Sequence, residues 1–118
     1  MIVASNLIGD ILTDIGAIVT GSTGLAPSAN INVDDEYPSM FEPVYGSASD
    51  IADQGVANPI ALVLSTAMLF ENLGTQAAAT RLQEAVAEVL GDESAPKTPD
   101  LGGDASTVDV VEAISDRV

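Results

Sequence analysis

Two aspartates, Asp10 and Asp14, stand four residues apart in a segment whose apolar residues recur with a helical period. Side chains at i and i+4 share one face of a helix, with Cβ atoms roughly 5–6 Å apart. Two carboxylates at that separation repel each other unless a cation lies between them, and Mg²⁺ commonly takes one or two carboxylates plus substrate oxygens. The chain has no histidine or cysteine, which favours Mg²⁺ or Mn²⁺ over Zn²⁺. In so acidic a chain, an ordinary solvent-facing acidic pair is the commoner explanation, so the spacing alone leaves the metal site open.

A second candidate is the segment 46–58, in which two glycines and several small residues surround Asp50. Glycine lets a backbone approach a ligand closely, and small neighbours leave room for a flat ring or a ribose. A carboxylate in such a loop can accept hydrogen bonds from ribose hydroxyls and repel a 2′-phosphate. The segment has no G-x-G-x-x-G motif, however, and glycine-bearing segments are usually plain connections. The pattern leaves both interpretations open.

Helices are expected to position both segments. Asn58 followed by Pro59 is a favourable helix start, because Asn caps well and Pro is tolerated at the first helical position. Ser106 with Asp109 three residues later resembles a capping box. Residues 60–70 are apolar nearly all round, which requires burial, and we expect a lone chain to expose this face. The predicted helices cover residues 7–19, 58–73, 75–90 and 106–117.

Glycine, proline and clusters of polar residues predict the connections between the helices. Gly74 is expected to end the second helix and Thr75 to cap the third. Residues 21–32 are predicted to be a loop. Residues 40–44 are predicted to be a short extended segment, limited by Pro43, which cannot donate to a ladder. Long connections are uncommon in compact domains unless they are functional, so these loops either hold a ligand or depend on parts outside this chain.

Composition suits one small domain with an aliphatic core. The chain has 118 residues, of which 47% are hydrophobic and 3% aromatic, and its mean hydropathy is +0.31. These values exclude a disordered acidic tail. No apolar run reaches the ~20 residues that a bilayer requires, and the first residues lack the basic region of a signal peptide. We therefore expect a cytoplasmic protein.

The charge balance narrows the classes of partner. Eighteen acidic residues stand against three basic ones, a net charge of −15. This balance argues against binding to nucleic acid or to an anionic membrane, because both require clustered Lys and Arg. Scattered acids with so few basic residues favour a surface adapted to high intracellular salt, where self-repulsion is screened. An ordinary acidic cytoplasmic protein is the alternative.

Four stretches together resemble one enzyme family, the isopropylmalate, isocitrate and tartrate dehydrogenases. Residues 6–14 (NLIGDILTD) resemble its N-x-F-G-D-I-L-S-D segment, and residues 41–52 (FEPVYGSASDIA) resemble its F-E-P-V-H-G-S-A-P-D-I-A loop. Residues 55–59 (GVANP) are similar to G-I-A-N-P, and residues 100–103 (DLGG) match D-L-G-G. The four motifs occur in the family's order and cover the whole chain, which makes a chance agreement very improbable.

The resemblance implies roles for individual residues. Asp10 and Asp14 match the two metal-binding aspartates of the family, whose third ligand comes from the partner subunit. Asp50 and Ile51 stand where NADP-specific relatives carry a basic residue and Tyr, which implies NAD as the cofactor. Tyr45 stands where the family has a His near the adenine, and it can still stack there. The positions that match the adenosine-binding loop are Tyr45, Gly46, Ser47, Ala48, Asp50, Ile51 and Asn58.

The resemblance also implies an α/β fold, represented here by its helix-rich C-terminal portion with few strands. Residues 1–20 would close the central, dimer-forming domain and carry the metal helix, and residues 21–118 would form the C-terminal half of the nucleotide-binding domain. In the family, the substrate-gripping arginines, the catalytic Tyr and Lys, and the third metal Asp lie upstream of this portion. We therefore expect no catalytic residue in this chain and no activity from the chain alone.

The implied reaction is the NAD-dependent oxidation and decarboxylation of a 2-hydroxyacid, with Mg²⁺ or Mn²⁺ bound beside the substrate. The order of preference is 3-isopropylmalate, as in leucine biosynthesis, then tartrate or D-malate, then isocitrate. Three hypotheses remain open: a truncated or fragmentary dehydrogenase, one half of a split enzyme completed by an N-terminal chain, or an inactive relic that retains a metal or nucleotide site. A homodimer is implied by the resemblance alone.

Overall fold

The computed structural model describes residues 2–34 and 36–118. Its helices are α1 (Asn6–Thr20), α2 (Ile60–Asn72), α3 (Gln76–Gly91) and α4 (Thr107–Ser115), and its strands are β1 (Pro27–Asn30) and β2 (Met40–Pro43). Short 3₁₀ turns occupy Thr23–Leu25, Ser49–Ile51 and Pro99–Leu101. The predicted helix-rich fragment with few strands is confirmed.

The two strands form an antiparallel pair that the sequence predicted only in part. Pro27 lies opposite Pro43, and Asn30 lies opposite Met40. The extended segment ending at Pro43 is confirmed, whereas the prediction of a loop over residues 21–32 is wrong where β1 forms. Pro, Asn and Ala have low strand propensity, so pairing with β2 and packing against α2 decide the conformation of β1.

The core lies around α2, which packs against α3, the two-stranded sheet and the 23–25 turn. Helix α4 packs on α3. Burial of aliphatic side chains at this junction is the main stabilising contribution to the fold. Its buried residues are Ile60, Ala85, Val86, Val89, Val110 and Ile114.

Exposed apolar side chains are concentrated on α1, whereas between Ile60 and Phe70 of α2 only Leu62, at 52%, is exposed, so the expected exposed face of α2 is mostly covered. Ile60 is 1% exposed because it packs in the core cluster with residues of α3 and α4. In α1 only Ala17 is buried, and the large apolar side chains from Leu7 to Val19 are 43–81% exposed. Helix α1 makes its main contacts with the Thr23–Leu25 turn alone. An apolar surface of this kind favours association.

The helix starts agree with the predicted caps at two positions out of three. The Asn58 Oδ1 accepts a hydrogen bond from the Ile60 backbone N–H at 3.0 Å. The Ser106 and Asp109 side chains bond each other's backbone N–H groups in a complete capping box. Thr75 occupies the cap position of α3, but its side chain makes no capping bond, so that prediction is wrong in its chemistry. Among the described residues, no helix has both the length and the apolarity needed to cross a bilayer.

Candidate functional site

A cavity of about 660 Å³ opens where the loop before α2 meets the turn after α1 and the 3₁₀ turn before α4. The structure brings together on its wall six of the seven residues predicted to bind a cofactor. These are Tyr45, Ser47, Ala48, Asp50, Ile51 and Asn58. Gly46 is exposed and does not line the cavity; its φ of +58° turns the chain between Tyr45 and Ser47.

The loop on one side of the cavity is shaped by local backbone bonds. Ala48 adopts a left-handed conformation with φ 45°, which is uncommon for a residue with a Cβ. Its carbonyl accepts the Ile51 N–H at 3.0 Å, which closes the short 3₁₀ turn. Asp50 is exposed on the wall of the cavity, and the described ion pairs, which join Arg117 to Glu88 and Asp92, do not involve it. Its carboxylate is therefore available to a ligand.

Asn58 forms a fixed part of the wall rather than a free ligand-binding amide. It is 4% exposed. Its Oδ1 caps α2, its Nδ2 donates to Asp100 Oδ2 at 3.0 Å, and its backbone carbonyl accepts the Tyr45 hydroxyl at 2.9 Å. Burial, and then the negative charge of Asp100, raise the pKa of Tyr45 above its ordinary value. The phenol thus stays protonated near neutral pH and keeps donating to Asn58.

Asp100 is the site residue that the sequence-based selection missed. Its Oδ2 accepts the Ser22 hydroxyl at 2.5 Å and the Asn58 amide, and its Oδ1 accepts the Thr98 hydroxyl at 2.6 Å. Partial burial raises the pKa of the Asp100 carboxyl, but the hydrogen bonds to its charged form outweigh that effect and hold the pKa below its usual value. Asp100 is the first residue of the D-L-G-G motif, which indicated the family but did not predict a role for this aspartate.

Gly24 allows the turn after α1 to lie against this cluster. It is buried, and its N–H donates to the Ser22 hydroxyl at 2.9 Å. A Cβ placed on Gly24 would lie 2.6 Å from Asp100 Oδ2 and 2.7 Å from Asn58 Cβ. The close packing of this turn against Asn58 and Asp100 therefore requires glycine at position 24.

The cavity carries negative charge without a compensating cation. Asp50 and Asp100 both line it, whereas the chain's three basic residues, Arg81, Lys97 and Arg117, lie outside the lining. Carboxylate, hydroxyl and small apolar groups suit an uncharged ring with hydroxyl groups. A phosphate group would meet repulsion here, since close like charges destabilise each other.

Asp10 and Asp14 lie elsewhere, on exposed positions of α1. Four residues apart in one helix, they share a face, with Cβ atoms roughly 5–6 Å apart. Among the residues that the structure describes, no group of three or more carboxylate, imidazole or thiol side chains is placed to hold a metal. The pair supplies two oxygen-bearing groups, which fits part of the coordination that Mg²⁺ takes in proteins.

The chain is similar to several dehydrogenases over nearly all of its length. It is 52% identical over 114 residues to an isocitrate/homoisocitrate dehydrogenase of Thermus thermophilus, covering 97% of this chain and 33% of the relative. It is 47% identical over 118 residues to a probable tartrate dehydrogenase/decarboxylase of Bacillus subtilis, covering 100% of this chain and 33% of the relative. The chain thus spans about a third of the length of these curated relatives.

The structure leads to the same group of proteins. The crystal structure of an isocitrate dehydrogenase from Methylococcus capsulatus superposes with a TM-score of 0.86 at 45% identity, covering 95% of this chain and 32% of that one. A family model described as "Isocitrate/isopropylmalate dehydrogenase" matches residues 1–114. The chain therefore belongs to the isocitrate/isopropylmalate dehydrogenase family.

Proposed function

We infer that this chain is the C-terminal third of an NAD-dependent dehydrogenase that oxidises and decarboxylates a 2-hydroxyacid. In this proposal residues 1–20 belong to the central, dimer-forming domain, and residues 21–118 form the second half of the nucleotide-binding domain. The observation that carries the proposal is the cavity itself, because residues of the family's adenosine loop line it together with an unpaired Asp50.

The charge of the cavity supports NAD over NADP. Asp50 can accept hydrogen bonds from the two ribose hydroxyls of an adenosine. A 2′-phosphate at the same place would face the Asp50 carboxylate, in a lining that also contains Asp100 and has no basic side chain. Tyr45 lines the cavity, and its aromatic ring is a group on which an adenine can stack.

A divalent cation is proposed at Asp10 and Asp14. Two exposed carboxylates on one helix face fit an ion that takes the rest of its ligands from substrate, water and other parts of the enzyme. When bound, Mg²⁺ or Mn²⁺ supplies Lewis-acid stabilisation of negative charge on substrate oxygens. The two aspartates hold that charge in place, while the wall around Asp50 orients the cofactor.

The proposed substrate class is a 2-hydroxyacid that carries a further carboxylate. Two relatives are named for tartrate and for isocitrate and homoisocitrate. The sequence-based preference for 3-isopropylmalate, the cytoplasmic location and the salt-adapted surface stay predictions. The isolated chain is expected to form no NADH from 3-isopropylmalate, NAD⁺ and Mg²⁺. The resemblance implies that the family's substrate-binding arginines and its catalytic Tyr and Lys lie outside this chain.

Cofactor binding is tested by titrating the ¹⁵N-labelled chain with NAD⁺ and with NADP⁺ and following its amide resonances by NMR. We expect NAD⁺ to shift resonances around Tyr45 and Asp50 and to bind at least about tenfold more tightly than NADP⁺, a difference of about 1.4 kcal/mol. Asp50→Lys should reverse the preference. Asp104→Lys makes the same charge change at an exposed position outside the cavity and should leave it unchanged. Equal binding of both cofactors to the wild-type chain would refute the proposed specificity.

Catalytic competence is tested in a chimera that replaces the matching third of the Thermus relative with this chain. NADH formation is measured with isocitrate, tartrate, D-malate and 3-isopropylmalate. Asp10→Asn and Asp14→Asn are each expected to lower the Mg²⁺-dependent rate by about two orders of magnitude. Asp34→Asn, an exposed acid outside α1, serves as the control and should leave the rate unchanged. Full activity in either α1 variant would contradict the metal assignment.

A further inference from the structure

We propose that Asp100 is a positioning residue for the cavity: its carboxylate is hydrogen-bonded to both Ser22 and Asn58 and so fixes the distance between two segments of the lining, the turn after α1 and the loop before α2. The proposal rests on the proposed function, since the ligand is taken to be the adenosine half of NAD. Asp100 touches the cavity, but its role is to hold other groups in place.

The hydrogen bonds of Asp100 join segments that are far apart in the sequence. One oxygen accepts from Ser22, 78 residues earlier, and from Asn58, 42 residues earlier. Ser22 follows α1, and Asn58 ends segment 46–58, which is proposed to bind the cofactor, and caps α2. A single carboxylate thus connects the end of the proposed metal helix with the loop proposed to hold adenosine.

The three donors depend on this one acceptor group. Ser22, Asn58 and Thr98 are all at most 6% exposed. Among the described residues, no buried side-chain nitrogen or oxygen lacks a hydrogen-bond partner. Removing the carboxylate would leave buried donors unpaired, and the walls would have to move to let water reach them.

The variant Asp100→Asn tests whether the hydrogen-bonding geometry of Asp100 or its negative charge is needed. In Asp100→Asn the amide oxygen can still accept from Ser22 and Asn58, and the amide nitrogen can donate to the Thr98 hydroxyl. Asp100→Ala removes all three bonds. If Asp100 acts by positioning, Asp100→Asn should keep most of the NAD⁺ affinity that Asp100→Ala loses.

The test measures NAD⁺ affinity of the 118-residue chain by NMR titration, at a temperature where circular dichroism shows every variant folded. Asp100→Ala should weaken binding at least about tenfold, and Asp100→Asn should stay within about threefold of the wild type. Asp104→Ala removes an exposed carboxylate outside the cavity and should bind as the wild type does. Val110→Ala destabilises the core away from the cavity and should lower Tm without changing affinity.

A second readout is independent of NAD⁺. The side-chain amide protons of Asn58 should exchange slowly with water in the wild type and in Asp100→Asn, and rapidly in Asp100→Ala. If Asp100→Ala does not fold, Ser22→Ala takes its place and should weaken NAD⁺ binding about threefold or more. Failure of the wild-type chain to bind NAD⁺ would remove the proposed function, while amide exchange would still decide whether Asp100 holds Asn58.

Wild-type affinity in Asp100→Ala would overturn the inference. So would a loss in Asp100→Asn as large as in Asp100→Ala, because charge rather than position would then be the important property. Slow exchange of the Asn58 amide in Asp100→Ala would overturn it as well.

Discussion

Replacing Gly24 with alanine tests how tightly the turn after α1 is packed against the cavity wall. The added methyl carbon would lie 2.6 Å from Asp100 Oδ2 and 2.7 Å from Asn58 Cβ, whereas unstrained contacts between carbon atoms are about 3.5–4.0 Å. Both neighbours are held by hydrogen bonds and Asn58 also caps α2, so neither side chain can move away freely. The substitution must therefore shift the turn or break the cluster.

The expected cost follows from measured effects of overpacking. Inserting a methyl group into a well-packed site destabilises a protein by about 1–3 kcal/mol. For a chain of this length, each kcal/mol lowers Tm by roughly 3–6 °C, so Gly24→Ala should lower Tm by between about 3 and 18 °C. NAD⁺ affinity should fall at least about fivefold, because the displaced Asn58 forms part of the cavity wall.

The assays are thermal unfolding followed by circular dichroism at 222 nm and titration with NAD⁺ below the Tm of the variant. Gly91→Ala is the matched control, since Gly91 ends α3 and has open space where its Cβ would lie. Alanine is favoured over glycine in helices by about 0.5–1 kcal/mol, so the control should keep or slightly raise Tm. Gly24→Ala with the Tm and affinity of the wild type would show that the described packing is not the packing of the protein in solution.

Three further predictions concern the cap of α4, the dependence of Tm on pH and the dependence of Tm on KCl concentration. Ser106→Ala should destabilise the chain by about 1 kcal/mol, because the Asp109 N–H loses its acceptor; Ser115→Ala, at the exposed end of α4, should cost much less in the same urea titration. The folded-state pKa of Asp100 is depressed, so the stability contributed by its ionised form is present above its unfolded pKa and is lost as pH falls through the folded pKa. The difference in Tm between wild type and Asp100→Asn should therefore be larger at pH 7 than at pH 3, and an equal or larger difference at pH 3 would contradict the assigned hydrogen bonds. Finally, KCl at molar concentration should raise Tm by screening the net charge of −15, and a Tm that stays constant or falls between 0.1 M and about 2 M KCl would argue against a salt-adapted surface.

Most features that depend on near neighbours in sequence were predicted correctly, although the Thr75 side chain makes no capping bond. The Ser106–Asp109 capping box and the end of α2 at Gly74, where φ is +78°, follow from residues within one helical turn. The family was also recognisable, because its motifs are contiguous runs of residues in a fixed order. The prediction that nucleic acids and anionic membranes are not partners rests on the net charge of −15 alone and stays a prediction.

Features that depend on distant residues became visible only in the folded chain. Strand β1 forms from a segment with loop-like composition because a partner strand and α2 lie beside it. Helices α1 and α2 are both rich in apolar residues, yet α1 keeps its large apolar side chains exposed whereas most of those of α2 are buried or half-buried, since burial depends on which elements surround a helix. Asp100 gained its role in the same way. Its acceptor oxygens meet donors 42 and 78 residues away, and periodicity or capping patterns, which extend over three or four residues, carry no information about such distances.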